Sequence, residues 1–338
     1  MDMKFISLVP VLLFSINVFS EALPKAVKDP QDNPSTPEKI ALGKQLFFDG
    51  RLSLNNKVSC NSCHSVTNGG TDGKMVSTGV DNKLGGRNSP TVINAAFMSV
   101  QFWDGRANTL EEQALGPMLN PVEMAMPSHD AVVEKLKKIP GYVATFEKVF
   151  GTENPVTINN VVKAIAAYER TLTTPNSPYD KFATGNKKWL NKPAQRGFEL
   201  VRSVGCLNCH SGPNFAGPIL PNGQGFYQKF PVFPGSEYDA KYELTKDLGR
   251  YEHTKNEADK NLWRVPTWRN IAKTGPYFHN GKVATLPEAV KVMAKTQLGK
   301  DLGKNEVHDI VEFLLSLTGE IPLQKTPKLP PTPKNVTL

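Results

Sequence analysis

Long apolar runs, blocks of like charge and strand-like alternation are all scarce in this chain of 338 residues. Past residue 22 no segment approaches the roughly 18 consecutive apolar residues that a membrane-spanning helix needs, so the mature chain is expected to have no membrane span. Lysine and arginine total 40 against 32 aspartates and glutamates, a net charge of +8, but the two signs are interleaved. That pattern describes a solvated basic surface, suited to an acidic partner protein, and does not indicate nucleic-acid binding. Disorder is not the default either, because 39% of the residues are hydrophobic and only 21% are charged. The length suits two domains better than one helical core.

Cysteine is the scarcest informative residue, at four in the whole chain. All four fall in two motifs, Cys60-Asn61-Ser62-Cys63-His64 and Cys206-Leu207-Asn208-Cys209-His210. A secreted chain could pair four cysteines as disulfides, and a zinc site could combine two C-x-x-C pairs. The histidine immediately after each pair points instead to covalent haem c. The thiols bond the porphyrin vinyl groups, and the adjacent imidazole becomes the axial ligand of the iron. Two haems are therefore expected, on Cys60, Cys63 and His64 and on Cys206, Cys209 and His210.

Export is expected as well. Lys4 precedes an interrupted apolar run from Phe5 to Phe19, and the small residues Ser20 and Ala22 follow. Residues 1–22 read as a signal peptide, with no cysteine near the cleavage region to carry a lipid. Similar runs open the two halves: Leu42-Gly43-Lys44-Gln45-Leu46-Phe47 before the first haem motif, and Gln195-Arg196-Gly197-Phe198-Glu199-Leu200 before the second. Each predicts an amphipathic helix, with Thr36-Pro37 and Pro193 as its start signals. Further helices are predicted from Thr109 to about Leu115, over Ser128–Lys138 and Thr157–Leu172, after Thr285, and over Glu306–Leu317. The fold class is mainly α, with two cytochrome c-like haem domains at 23–175 and 176–321. Gly212–Pro234 reads as ordered loop, and 322–338, which holds five prolines, as an extended or disordered arm.

In combination these features resemble the bacterial di-haem cytochrome c peroxidases. The resemblance runs over nearly the whole mature chain. It includes Phe47-Phe48-Asp49, Arg51-Leu52-Ser53, Gly69-Gly70-Thr71-Asp72 and Arg87-Asn88-Ser89-Pro90-Thr91. It continues through Phe102-Trp103-Asp104-Gly105-Arg106, Pro121-Val122-Glu123-Met124, Arg264-Val265-Pro266-Thr267, Arg269-Asn270 and Gly275-Pro276-Tyr277-Phe278-His279-Asn280-Gly281. The family implies periplasmic reduction of hydrogen peroxide to water, with electrons from a small soluble cytochrome c or blue-copper protein, by a homodimer.

The resemblance also assigns residues. The first haem, under His64, is the peroxidatic one, and Glu123 matches the distal acid–base group that moves a proton between the peroxide oxygens. Gln113 matches a second distal polar residue. The second haem, with His210 and Met293 as axial ligands, is the electron-entry site, because a thioether raises the potential; Met118, Met124 and Met126 are the other methionines to weigh. Trp103 matches a residue between the haems, where it either assists electron transfer or packs. Asn88, Thr274 and Pro276 match an interdomain calcium site. His279 matches a position near the second haem, and His129, His253 and His308 read as ordinary surface or helix residues.

The chain departs from the family at one place. Many members carry a histidine in the loop after the first haem motif that caps the peroxidatic iron until the other haem is reduced. Here that position is Val80, and no histidine lies between His64 and His129. The first haem is therefore expected to lack a histidine cap, with Met75, Lys74 and Lys83 as the remaining possible ligands. Two other functions fit the same scaffold. One is a relative that oxidises tryptophans of a partner protein, for which Tyr277 would supply the sixth ligand. The other is an electron carrier with both irons fully ligated.

Overall fold

The computed structural model describes residues 21–338; the expected signal sequence, apart from its last two residues, lies outside them. Twelve helices carry the described chain. α1 (Pro37–Phe48), α2 (Cys60–Cys63), α3 (Leu110–Leu119), α4 (His129–Lys137), α5 (Pro140–Phe150) and α6 (Ile158–Glu169) form the first half. α7 (Pro178–Ala183), α8 (Lys192–Val204), α9 (Glu237–Tyr242), α10 (Tyr251–Thr254), α11 (Leu286–Leu298) and α12 (Lys304–Ser316) form the second. The helix starts follow local chemistry: Thr36, Thr109, Ser128, Thr157 and Thr285 each accept a backbone N–H of the first turn.

Apolar residues gather in two clusters. One, built on Leu42, Leu46, Phe47, Val132, Tyr142, Val161 and Ile165, belongs to the first half, and the other, built on Tyr179, Phe198, Phe215, Val292, Ile310 and Phe313, to the second. Each is organised by the same crossing. On α1, Gly43 sits so close to Ala164 of α6 that a Cβ would run into the Ala164 carbonyl, and Gly197 of α8 meets the Asp309 carbonyl of α12 in the same way. A side chain at either glycine would push the helices apart, so the repeated sequence run encodes a repeated close approach.

Sequence expectations differ from the structure in three places, and the C-terminal arm follows the extended one of its two readings. α3 continues past Leu115 to Leu119 with Pro117 inside it. α5, begun by Pro140, follows α4 where the proline reads only as a stop. The Gly212–Pro234 stretch contains a strand, β1 (Tyr227–Lys229), paired antiparallel with β2 (Leu262–Arg264), Tyr227 opposite Arg264. The arm 322–338 is extended and lies on the first half. Arg51 donates to the Pro330 carbonyl at 2.9 Å and to Thr332 Oγ1 at 2.8 Å, Gln45 to the Lys328 carbonyl at 2.9 Å, and Lys138 to the Thr337 carbonyl at 3.0 Å.

The halves are joined by polar side chains. Asn94 and Asn270 both donate to Thr174 Oγ1 at 2.8 Å, and Asn270 Oδ1 accepts the Gly319 N–H at 3.0 Å. Arg87 pairs with Asp104 and with Asp247, each at 2.6 Å. In the second half Arg269, fully buried, pairs with Asp180 at 2.8 Å and donates to the Pro213 carbonyl, three residues beyond the second haem motif.

Candidate active site

α2 is the first haem motif itself, a single turn held by Ser59 and Ser62. It delivers His64 to the wall of a cavity of about 540 Å³. His64 Nδ1 lies 2.9 Å from the Pro90 carbonyl. A carbonyl can only accept, so Nδ1 carries the proton and Nε2 keeps its lone pair for a metal. Burial lowers the pKa of His64, which keeps the imidazole neutral.

Across the same cavity stand Glu123, Gln113, Arg106 and Trp103. The turn after α3 sets the first of these: Asn120 Nδ2 donates to Glu123 Oε1 at 2.6 Å, while Asn120 Oδ1 accepts the Val122 N–H at 3.1 Å. Burial raises the pKa of Glu123, opposed by the charge of Arg106 and the Asn120 hydrogen bond. A carboxyl balanced in this way can both take and return a proton. Arg106 is itself positioned by Asp104 at 2.9 Å and lies 3.5 Å over the Phe102 ring.

Val80 is buried in the first core, and its N–H donates to the Glu123 carbonyl at 2.8 Å. Gly79 packs so closely on Val122 and Glu123 that a Cβ would overlap their carbonyls. The loop is thus docked against the acid-bearing segment by its backbone. Of the candidate caps, Met75 is half exposed and Lys83 reaches out to the Pro121 carbonyl at 3.4 Å. Neither they nor Lys74 line the cavity.

The second motif is a short 3-10 turn, Cys206–Asn208, at the end of α8. His210 is buried, its Nδ1 3.1 Å from the Phe215 carbonyl, and stacks on Trp268 with centroids 4.2 Å apart. Burial pushes its pKa down to about 4, so Nε2 is again a neutral donor. Met293, on α11, packs against this second core. Met118, Met124 and Met126 are buried in the first core instead, in the half that does not hold His210. Tyr277 is buried against the second core and also lines the cavity.

The cysteine pairs belong to different cores, Cys60 to the first and Cys206 to the second. Among the described residues no three His, Cys, Asp or Glu side chains cluster as a metal site. Burial raises the pKa of the Cys60 and Cys206 thiols, Cys206 to about 11. Pairs packed on separate cores do not share one zinc ion, and the paired thiols beside a tautomer-fixed histidine fit haem c in each half. Asn88, Thr274 and Pro276 line one cavity wall together. Trp103 Nε1 donates to the Asn88 carbonyl at 2.8 Å, and the Asn88 N–H donates to the His279 carbonyl at 2.7 Å.

Residues 37–188 match the di-haem cytochrome c peroxidase family. The cytochrome c551 peroxidase of Nitrosomonas europaea is 44% identical over 88% of this chain and 85% of its own. The chain belongs to the di-haem cytochrome c peroxidase family. It is an enzyme that reduces peroxide. The cytochrome c551 peroxidase of Pseudomonas aeruginosa is 42% identical over 91% of this chain and 86% of its own, and the methylamine utilization protein MauG of Methylorubrum extorquens is 34% identical over 91% and 86%. A crystal structure of a MauG-like protein associated with microbial copper homeostasis superimposes with a TM-score of 0.76, at 27% identity, covering 88% of this chain and 95% of that one.

Other residues around the site were given no definite role by the sequence. His253 is an exposed residue of α10, as expected, and also lines the cavity. His279 is buried, stacks on Trp263 at 4.0 Å, and has an Nε2 with no partner. Glu169 and Arg106 also line the cavity; Glu169 has the pattern of an ordinary helix residue, and Arg106 stands in a matched motif that gave it no role, so the fold alone assigns them to the site.

Proposed function

We propose that this chain reduces hydrogen peroxide in the periplasm, at a haem c borne by Cys60, Cys63 and His64. Electrons enter through a second haem c borne by Cys206, Cys209, His210 and Met293, from a small cytochrome c or blue-copper protein. The observation that carries this reading is the pairing on one cavity of His64, whose Nδ1 is held by the Pro90 carbonyl, with Glu123, whose carboxyl has its proton affinity raised by burial.

A haem c held on that wall supplies an iron position and electrons for O–O cleavage. The protein supplies the proton handling. Glu123 takes the proton from the near oxygen and returns it to the far one, so that the leaving group is water rather than hydroxide. Asn120 fixes Oε1, and Gln113 faces the same space with an amide able to donate to the substrate. Trp103, tied to Asn88, stands at the seam between the two halves. Calcium at Asn88, Thr274 and Pro276, and a homodimer, belong to the same reading.

Steady-state peroxide consumption with a reduced small cytochrome tests it. Turnover should begin without a lag both from oxidised enzyme and from enzyme with one haem already reduced, because Val80 offers the iron no ligand. A lag from the oxidised form alone would show a cap on the iron. Absence of turnover from both forms would overturn the proposed site.

A further inference from the structure

The reduction of one peroxide takes up two electrons and two protons: the O–O bond breaks, two O–H bonds form, and two waters leave. Glu123 only relocates a proton already on the substrate. Both net protons must be delivered to the cavity, and among the other carboxyls that line it Glu169 is buried and joins no salt bridge.

Glu169 closes α6, lines the cavity, and is only 6% exposed. Its Oε2 has no hydrogen-bond partner. A buried carboxylate with a bare oxygen is costly, whereas the protonated acid presents an O–H to the cavity. Burial is what favours the proton. The charge of Arg170 opposes it, Arg170 is itself paired with Glu111 of α3 at 2.6 Å, and Glu111 adds a smaller like-charge push towards the protonated form. Tyr168 on α6 and Cys60 on α2 are neutral neighbours whose pKa values Glu169 itself raises, and Glu123 also acts on Cys60. Burial pushes Glu169 to about 8. Glu111 in turn accepts from Asn33 at 2.7 Å, and Asn33 accepts from Lys39 of α1 at 3.0 Å.

We propose that Glu169 is the proton store of the cavity, a protonated acid that resupplies Glu123 and the departing water during each turnover. The inference rests on the peroxidase reading of the site. At each cycle the Glu169 O–H gives its proton to the cavity, and the carboxylate is reprotonated from solvent.

The variants Glu169→Gln and Glu169→Asp test this. Haem content and the optical spectrum should be unchanged in both. The infrared carbonyl band of a buried protonated acid should vanish in E169Q, persist in E169D, and titrate in the parent near pH 8. E169Q should lose about tenfold or more in kcat with KM for peroxide unchanged, should lose the alkaline limb of the pH profile, and should show an altered solvent deuterium isotope effect. E169D should recover most of the rate. Parent-like kcat and pH profile in E169Q would overturn the inference while leaving the peroxidase reading intact. Loss of haem from both variants would also overturn it, assigning Glu169 to building the site. A parent enzyme inert to peroxide would overturn the site reading and this inference together.

Discussion

Asn120 Nδ2 and Glu123 Oε1 lie 2.6 Å apart, a hydrogen bond between a residue that ends a helix and the carboxyl three residues on. That bond favours the charged carboxylate, while burial opposes it.

Removing it with Asn120→Ala should therefore raise the Glu123 pKa further. Glu123 must be ionised to accept the first proton, so the acid limb of kcat/KM against pH should move to higher pH. Glu123→Gln should cost about 10²- to 10⁴-fold in kcat, with both haems still attached. A pH–rate profile of the three proteins decides the matter, and an unmoved acid limb in N120A would count against Glu123 as the base.

Gly43 and Gly197 should be equally intolerant of a methyl group. Gly43→Ala and Gly197→Ala each drive a Cβ into a facing carbonyl, and overpacking of this kind costs roughly 1–3 kcal/mol. The sites lie in separate cores, so the double variant should lose the sum of the two. Denaturant unfolding of the two single variants and the double variant measures both points.

Breaking the buried Arg269–Asp180 pair should be among the most damaging changes in the second half. Asp180→Ala leaves the guanidinium buried and short of its counter-charge, a situation that costs about 3–5 kcal/mol. Arg269 also holds the Pro213 carbonyl behind the second haem motif. Unfolding of D180A should show that loss, and the optical band of the second haem should broaden before the first is affected.

Met293→His should replace a thioether with an imidazole on the second haem. Imidazole favours ferrous iron less than a thioether does, so the potential of that haem should fall and reduction by the donor should slow. Redox titration of the parent and variant reads the shift directly; an unchanged high-potential couple would remove Met293 from the ligand set.

Much of this architecture was legible in the chain. Caps at Thr36, Thr109, Ser128, Thr157 and Thr285 mark helix starts that the structure reproduces. The two haem motifs needed only their spacing. α5 was hidden because a proline that ends one helix can begin the next, as Pro140 does. The strand Tyr227–Lys229 was hidden because its partner is Leu262–Arg264, and a three-residue pairing at that separation leaves no local alternation. Of the distal residues, Glu123 was visible only through family resemblance. Arg106 stood in a matched motif with no role attached, and Glu169 and His253 were not visible as site residues, since what brings them to the site is a shared cavity, which single-residue chemistry does not encode.

The junction at Thr174 has a mechanical consequence. The chain passes between its halves twice, once at 173–178 and again near Gly319, and Asn270 fastens both passages, donating to Thr174 and accepting from Gly319. Asn270 therefore ties the two passages to each other, so that neither can shift at the seam without loosening the other. His64 and Glu123 both belong to the first half, so their mutual bearing does not pass through this fastening.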